Sequence, residues 1–372
     1  MPRTGKNIYK RKDGRWEGRY IKEHVDGRAR YGTVYARSYR DVKVKLEEAK
    51  RMQRKRPVAL AGKVRDISYC WLSEMSLTLK ESSKNKYEDI LYHYILPEFG
   101  TAELSEIGNQ CVIDFANTLL SRGGANNQGL SPSTVSQILS VLNGIRIYAL
   151  RRDYTVKFSL ECISLKQEKT DIRIFSLEEE KRLVSYLMEH MDFSAVGILI
   201  CLFTGIRLGE LCAMKWDDIN LTERRMHVNK TMQRLRIANT NGVRTEVKIQ
   251  EPKSTSSIRT IPLPKMLMKI LEEFYHPGTF LLTGENSRYV EPRTMQNRFK
   301  KILMSCEIPD ANFHATRHTF ATRCIELGFD IKSLSEILGH AGVTITMNRY
   351  VHPSMALKTE NMERFSNLFV VK

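Results

Sequence analysis

Four short stretches in the second half of the chain carry side chains able to act on an anionic group. They are Thr204-Gly-Ile-Arg-Leu-Gly-Glu210, Lys253 within PKSTSSIRTIPL, His314-Ala-Thr-Arg-His318, and Leu338-Gly-His340 with Tyr350 ten residues further on. Arg207 and Arg317 bring permanent charge in a planar fork that matches phosphate oxygens two at a time. His314 and His340 can hydrogen-bond or move a proton. Tyr350 is a phenol with a reference pKa near ~10, so it attacks only with a base or strong positive charge beside it. His314, Arg317 and His318 are spaced i, i+3, i+4, which sets them on one helix face.

Each stretch is ambiguous alone. Arg207 suits any turn, Lys253 any surface hairpin, Gly339 any helix terminus, and a lone helical tyrosine is most often core. The rival for the histidines is a metal, since His314 and His318 are four apart as in zinc helices. However, Ala315 stands where H-E-x-x-H has glutamate, Arg317 would repel a cation, and no Cys or Asp lies at ligand spacing. No metal is expected.

The elements that must position these residues are legible in outline. From residue 171 the pattern is mainly helical with a small inserted sheet. Ser176 followed by Glu178, Glu179 and Glu180 is a helix start. Val196 to Phe203 reads as a buried apolar helix. Asn241-Gly242 marks a hairpin, and Ile258 to Leu263 another strand. Helices return from 264.

Residues 64–163 read as all-helical. Ser83 is the expected cap of a helix carrying Tyr87, Ile90, Leu91 and Tyr94. Ser131-Pro132 starts another, carrying Val135, Ile138, Leu139, Leu142, Ile145 and Leu150. Residues 54–63 read as a linker.

Residues 1–56 predict a three-stranded sheet plus a helix. Asp13-Gly14 and Asp26-Gly27 are hairpin signals between strands near 7–12, 15–22 and 28–36. Strand alternation sets Trp16 and Tyr20 on one face, with Tyr31 and Tyr35 expected on the same side. Arg15 and Arg19 point the other way, with Arg28 and Arg30 expected to match them. A helix over 38–55, capped by Ser38 with Val42, Leu46 and Ala49 inward, covers the aromatics. The arginine face would suit a DNA groove.

Charge supports a polyanionic partner. The chain has 372 residues and a net charge of +17. Residues 1–60 carry 19 Lys+Arg against 7 Asp+Glu, whereas residues 61–170 are balanced at 12 of each. Solubility alone does not concentrate charge in this way, and nucleic acid does. Seven scattered cysteines without a C-x-x-C pair read as free thiols in a reducing compartment. No apolar run reaches a membrane span and no apolar segment follows the basic N-terminus, so a cytoplasmic protein is expected.

In this order and at these intervals, the four stretches resemble the tyrosine recombinase family. Its pattern is arginine, lysine, histidine-x-x-arginine, histidine, tyrosine. Here it falls on Arg207, Lys253, His314, Arg317, His340 and Tyr350, with every position filled. The contexts T-G-x-R-x-x-E, H-x-x-R-H and L-G-H match as well. The resemblance implies a multidomain, mainly α fold: an arm-type DNA-binding domain over 1–56 as in phage and conjugative-transposon integrases, a helical SAM-like core-binding domain over 64–163, and a mixed, mostly α catalytic domain over 171–372. It implies attack by Tyr350 on a DNA phosphodiester, a covalent 3′-phosphotyrosine, and Lys253 as acid for the leaving 5′-oxygen. Glu210 would support Arg207, and His318 is a further supporting residue. The arginines and histidines would stabilise the phosphate without Mg²⁺, and the bond energy is kept in the phosphotyrosine, so no ATP is required.

The implied function is site-specific integration and excision of a mobile element by a homo-tetramer on double-stranded core and arm attachment sites. An excisionase and a host DNA-bending protein are implied as accessory partners. A type IB topoisomerase shares the chemistry, and a catalytically silent DNA-binding regulator could share the fold. The basic N-terminal region argues against the first and the complete residue set against the second. The apolar C-terminal residues Phe365, Leu368, Phe369, Val370 and Val371 are expected to dock, either on a neighbouring protomer, as the resemblance implies, or on their own domain.

Overall fold

The Asp13-Gly14 hairpin forms, with Gly14 at φ +83°, joining β1 (Ile8–Lys10) to β2 (Trp16–Val25). The computed structural model describes residues 7–25, 28–54, 60–124, 127–161, 163–166, 172–239, 242–252 and 254–351, and in the tail residues 359, 362, 363, 365, 366 and 369. For 22–25, 28, 29, 51–54, 237–239, 242–244 and 255 it describes the backbone alone. The chain divides into two compact units, Met1–Leu79 with Lys86–Gln167, and Lys80–Asn85 with Glu168–Lys372.

In the first unit β1, β2 and β3 (Arg28–Ala36) form an antiparallel sheet in that order. Helix α1 (Tyr39–Arg54) lies across it. Ser38 Oγ accepts from the Asp41 N–H, and Val42 and Leu46 pack against Ile8, Trp16, Tyr20, Val34 and Ala36.

One expectation fails in this sheet. Trp16 pairs with Ala36, Gly18 with Val34 and Tyr20 with Gly32. Tyr31 and Tyr35 therefore face away from α1 and stand in solvent at 58% and 39% exposure. The aromatic spacing within each strand is right, but the cross-strand register puts the small residues of β3, not its tyrosines, opposite the helix.

The helical part of this unit runs through α2 (Val64–Ser76), the part of α3 (Glu81–Ile90) from Lys86 on, α4 (Leu96–Phe99), α5 (Asn109–Arg122) and α6 (Pro132–Arg151), with a π-helical turn over Leu91–Ile95. Ser131 caps α6 by accepting from Thr134 N–H at 3.2 Å, with Pro132 in the first turn. Val135, Ile138, Leu139, Leu142 and Ile145 join the core, whereas Leu150 stays 44% exposed. Ser83 is not a cap, because α3 already begins at Glu81.

In the second unit α7 (Leu177–Glu189) starts with the expected reciprocal cap. Ser176 Oγ accepts from the Glu179 N–H, and the Glu179 carboxylate accepts from the Ser176 N–H. Helix α8 (Phe193–Thr204) is buried along almost its whole length and forms the centre of the unit. After α9 (Leu208–Ala213) come β4 (Ile219–Asn220), β5 (Arg225–Val228), β6 (Thr231–Asn239), β7 (Gly242–Gln250) and β8 (Arg259–Pro262). Strands β4, β5 and β8 form one antiparallel sheet, and β6 pairs with β7 in a separate hairpin. Helices α10 (Lys265–Glu273), α11 (Pro292–Ser305), α12 (His314–Glu326), α13 (Ile331–Leu338) and α14 (Val343–Tyr350) complete it. Among the described residues, no helix is long and apolar enough to cross a membrane.

Candidate active site

Two helix ends carry the site. Helix α8 stops at Gly205, whose φ of +65° is the left-handed conformation that a side chain strains to adopt. The chain then turns so that Arg207 precedes α9 and Glu210 occupies its first turn. The Glu210 carboxylate accepts from the Arg207 backbone N–H at 2.9 Å and from Arg207 Nη1 at 2.8 Å. Helix α13 stops in the same way at Gly339, φ +64°, immediately before His340. These two stops account for the Thr-Gly-x-Arg and Leu-Gly-His spellings.

The carbonyls left unpaired at these ends receive the arginines. Arg317, on α12, is buried. Its Nη1 donates to Gly205 O and its Nη2 to Leu338 O, both at 2.7 Å. Arg207 Nη2 donates to Gly339 O at 3.0 Å. Each guanidinium uses two N–H groups in this way and retains others for a ligand. Arg207 is half-exposed, so its free edge can be reached from solvent.

The imidazoles and the phenol complete the cluster. His314 and His318, one turn apart on α12, meet edge to face with ring centres 4.7 Å apart. Tyr350, the last residue of α14, is buried, and its Oη lies 2.8 Å from His318 Nδ1. His340 Nδ1 lies 2.8 Å from the buried Thr346 Oγ1, which fixes that ring and leaves its other nitrogen for a ligand. Arg207, His314, Arg317, His318, His340 and Tyr350 thus come together with Glu210. Lys253 lies outside the described residues.

The electrostatics follow from burial and crowded positive charge. Burial first, then Arg317, pushes His314 down to about 4 and His340 down to about 4. Burial and His314 push His318 down to about 3. Burial raises Tyr350, partly countered by Arg317. Burial and Arg207 lower Arg317 to about 9, which still leaves it charged at neutral pH. Burial opposes ionisation of Glu210, but the hydrogen bonds from Arg259 and the charges of Arg259 and Arg207 hold it below the usual carboxylate range. At neutral pH the cluster is therefore three neutral imidazoles, a protonated phenol and an excess of guanidinium charge. An anionic phosphate is the ligand that offsets that excess.

Arg259 was not singled out by the sequence reading. It opens β8 buried, on the same strand parity as Ile261, and lays its guanidinium on Glu210. An arginine at a core-parity strand position was the available signal.

The N-terminal sheet offers a different surface from the expected bare arginine face. Arg19 and Arg11 both pair with the buried Glu17, and Arg15 pairs with Asp13. Arg11 and Arg15 also lie near the Tyr35 ring, and Arg19 near Tyr9. The face is an arginine–tyrosine mosaic with embedded acids. Arg30 shares strand parity with Gly32 and Val34, so register sets it on the opposite side from Arg19. The side chain of Arg28 lies outside the described residues.

The chain is similar to known proteins in sequence and in fold. The phage integrase family matches residues 173–356, and the phage integrase N-terminal SAM-like domain matches residues 63–120. A tyrosine recombinase XerC-like protein of Caldanaerobacter subterraneus subsp. tengcongensis is 30% identical over 82% of this chain and 83% of its own length. The Tn1549 transposon integrase, solved in complex with transposon right end DNA, superposes with a TM-score of 0.68 at 21% identity, covering 82% of this chain and 100% of that one. A lambda integrase tetramer solved on a Holliday junction superposes with a TM-score of 0.56 at 13% identity, covering 95% of this chain and 98% of that one. This chain belongs to the tyrosine recombinase family, the phage integrases, and is a site-specific DNA recombinase of the integrase type.

Proposed function

We propose that Tyr350 is the nucleophile, and that Arg207, Arg317, His314 and His340 bind the scissile phosphate. The observation that carries this reading is the buried Tyr350 phenol, hydrogen-bonded to His318 beside two guanidiniums. Tyr350 Oη attacks phosphorus and its proton passes to His318 Nδ1, the nearest acceptor. The bond from phosphorus to the 5′-oxygen breaks, and Lys253 donates the proton that makes a 5′-hydroxyl. The 3′-phosphotyrosine preserves the phosphoester, and a 5′-hydroxyl from a partner strand reverses the step. The arginines stabilise charge on the non-bridging oxygens from positions already set, so little reorganisation accompanies attack.

Residues 1–56 form the arm-type DNA-binding domain, 64–163 the core-binding domain and 171–372 the catalytic domain in this reading. The basic bias of the first sixty residues supports the first assignment, with Arg15 and Arg19 among the DNA contacts. The chain acts as a homo-tetramer joining core and arm sites of a mobile element in the bacterial cytoplasm, with an excisionase and a host DNA-bending protein setting direction. The exposed Phe365 and Phe369 suit docking of the tail on a neighbouring protomer.

A suicide duplex, nicked so that the cleaved fragment diffuses away, tests the assignment. Wild type accumulates a covalent protein–DNA adduct. Tyr350→Phe binds the same duplex and forms none. An undiminished adduct with Tyr350→Phe overturns the reading.

A further inference from the structure

Arg259 makes more polar contacts than a strand arginine needs. Its Nη2 and Nη1 donate to the two oxygens of Glu210 at 2.9 and 3.1 Å. Its Nε donates to Ile337 O at 2.5 Å, and its Nη1 also to Ser257 O at 3.0 Å. The guanidinium lies directly under Gly339, where an added Cβ would come within 3.0 Å of Nη1. Glu210 and Arg259 are both buried, so this contact is shielded from solvent.

Three parts of the site meet on this one side chain. Glu210 is the carboxylate that orients Arg207. Ile337 and Gly339 belong to the helix end that presents His340. Ser257 belongs to the segment between β7 and β8 in which Lys253 sits in sequence. A guanidinium is suited to this because its donors are fixed in one plane, so contacts to three segments fix their relative positions. Lysine would keep the charge but not the geometry.

We propose that Arg259 is a positioning residue for strand cleavage. It sets the Arg207 guanidinium through Glu210 and holds the helix end that presents His340 through Ile337, without touching DNA. The inference rests on the roles proposed above for Arg207 and His340.

The test measures DNA binding and single-turnover cleavage separately for Arg259→Lys, and for the paired change Arg259→Met with Glu210→Gln, which removes both buried charges together. Arg259→Lys is expected to bind the core duplex like wild type while cleaving about 100-fold more slowly, the scale of a small misplacement of reacting groups. A second duplex replaces the bridging 5′-oxygen with sulfur, which leaves without a proton and so relieves the Lys253 step. On it the defect of Arg259→Lys should persist undiminished, as should that of Arg207→Ala. The paired variant should fold and bind, and should cleave no faster than Arg259→Lys.

Wild-type cleavage by Arg259→Lys overturns the proposal. So does loss of binding and cleavage in proportion to a lowered melting temperature, which marks a purely structural role. So does a defect that disappears on the sulfur duplex. An adduct formed by Tyr350→Phe run alongside would instead condemn the underlying active-site reading.

Discussion

The phenolic Oη of Tyr350 lies 2.8 Å from Nδ1 of His318, and both side chains are buried. Burial raises the Tyr350 pKa, and burial with neighbouring cations lowers that of His318, so the phenol donates and the imidazole accepts. This gap keeps the proton on Tyr350 in the DNA-free protein. Replacing His318 by Leu should slow adduct formation by about 10²–10⁴-fold, the range for loss of a general base, with DNA affinity unchanged. His318→Asn offers a hydrogen-bonding amide near the same place and should recover part of the rate. Single-turnover cleavage of a suicide duplex measures both, and a His318→Leu variant as fast as wild type excludes the role.

The depressed histidines predict how stability depends on pH. His314 and His340 titrate at about 4 and His318 at about 3 in the folded chain, against 6.5 as the ordinary value. The unfolded chain therefore binds more protons below that value, and acid favours unfolding. The stability these groups contribute is complete above about pH 6.5 and is lost as pH falls toward 4 and below. The melting temperature of the DNA-free protein should fall across that window, and the fall should be smaller in His318→Leu. An identical fall in that variant would remove His318 from the account.

Arg317 binds two helix ends as well as the proposed phosphate. Arg317→Ala leaves Gly205 O and Leu338 O without their donor in a buried site. An unsatisfied buried acceptor costs roughly 1–3 kcal/mol, so the chain should lose about 3 kcal/mol of stability and its cleavage. Arg317→Lys should lose less stability and still cleave poorly, because an ammonium cannot span both carbonyls and a phosphate. Urea denaturation beside the cleavage assay separates the two effects, and a stable, active Arg317→Lys would contradict the bidentate role.

Truncation tests the assignment of the N-terminal sheet. A chain starting near residue 60 should still cleave short core duplexes, while its affinity for longer attachment-site DNA falls. The dependence of that affinity on salt should flatten as well, because fewer phosphates are neutralised. Unchanged affinity and salt dependence would return residues 1–56 to a role outside DNA binding.

How much of this was legible in the sequence depended on whether the deciding contact was local. Ser176 with Glu179, and Ser131 with Pro132, were readable because each cap closes within a few residues. Gly339 was readable as a stop beside His340 and Thr204-Gly205 as a turn beside Arg207, although nothing in the sequence showed that both helices end against the same arginine. Tyr31 and Tyr35 were assigned to the wrong face because β2–β3 register is set across strands. Arg259 was missed because its partner Glu210 is 49 residues away. His318 could be set on the face of His314 by spacing, but only the fold brings Tyr350 to it, 32 residues further on.

The most direct test of the central claim is the identity of the atom that carries DNA. The adduct from a suicide duplex is digested with nuclease and trypsin, and the peptides are analysed by mass spectrometry. Trypsin cleavage after Arg349 and Lys358 releases the peptide 350–358, with Tyr350 as its only tyrosine. The account predicts a 3′-phosphonucleotide on that tyrosine and on no other residue. A nucleotide on any other side chain, or a 5′-phosphate linkage, would contradict it.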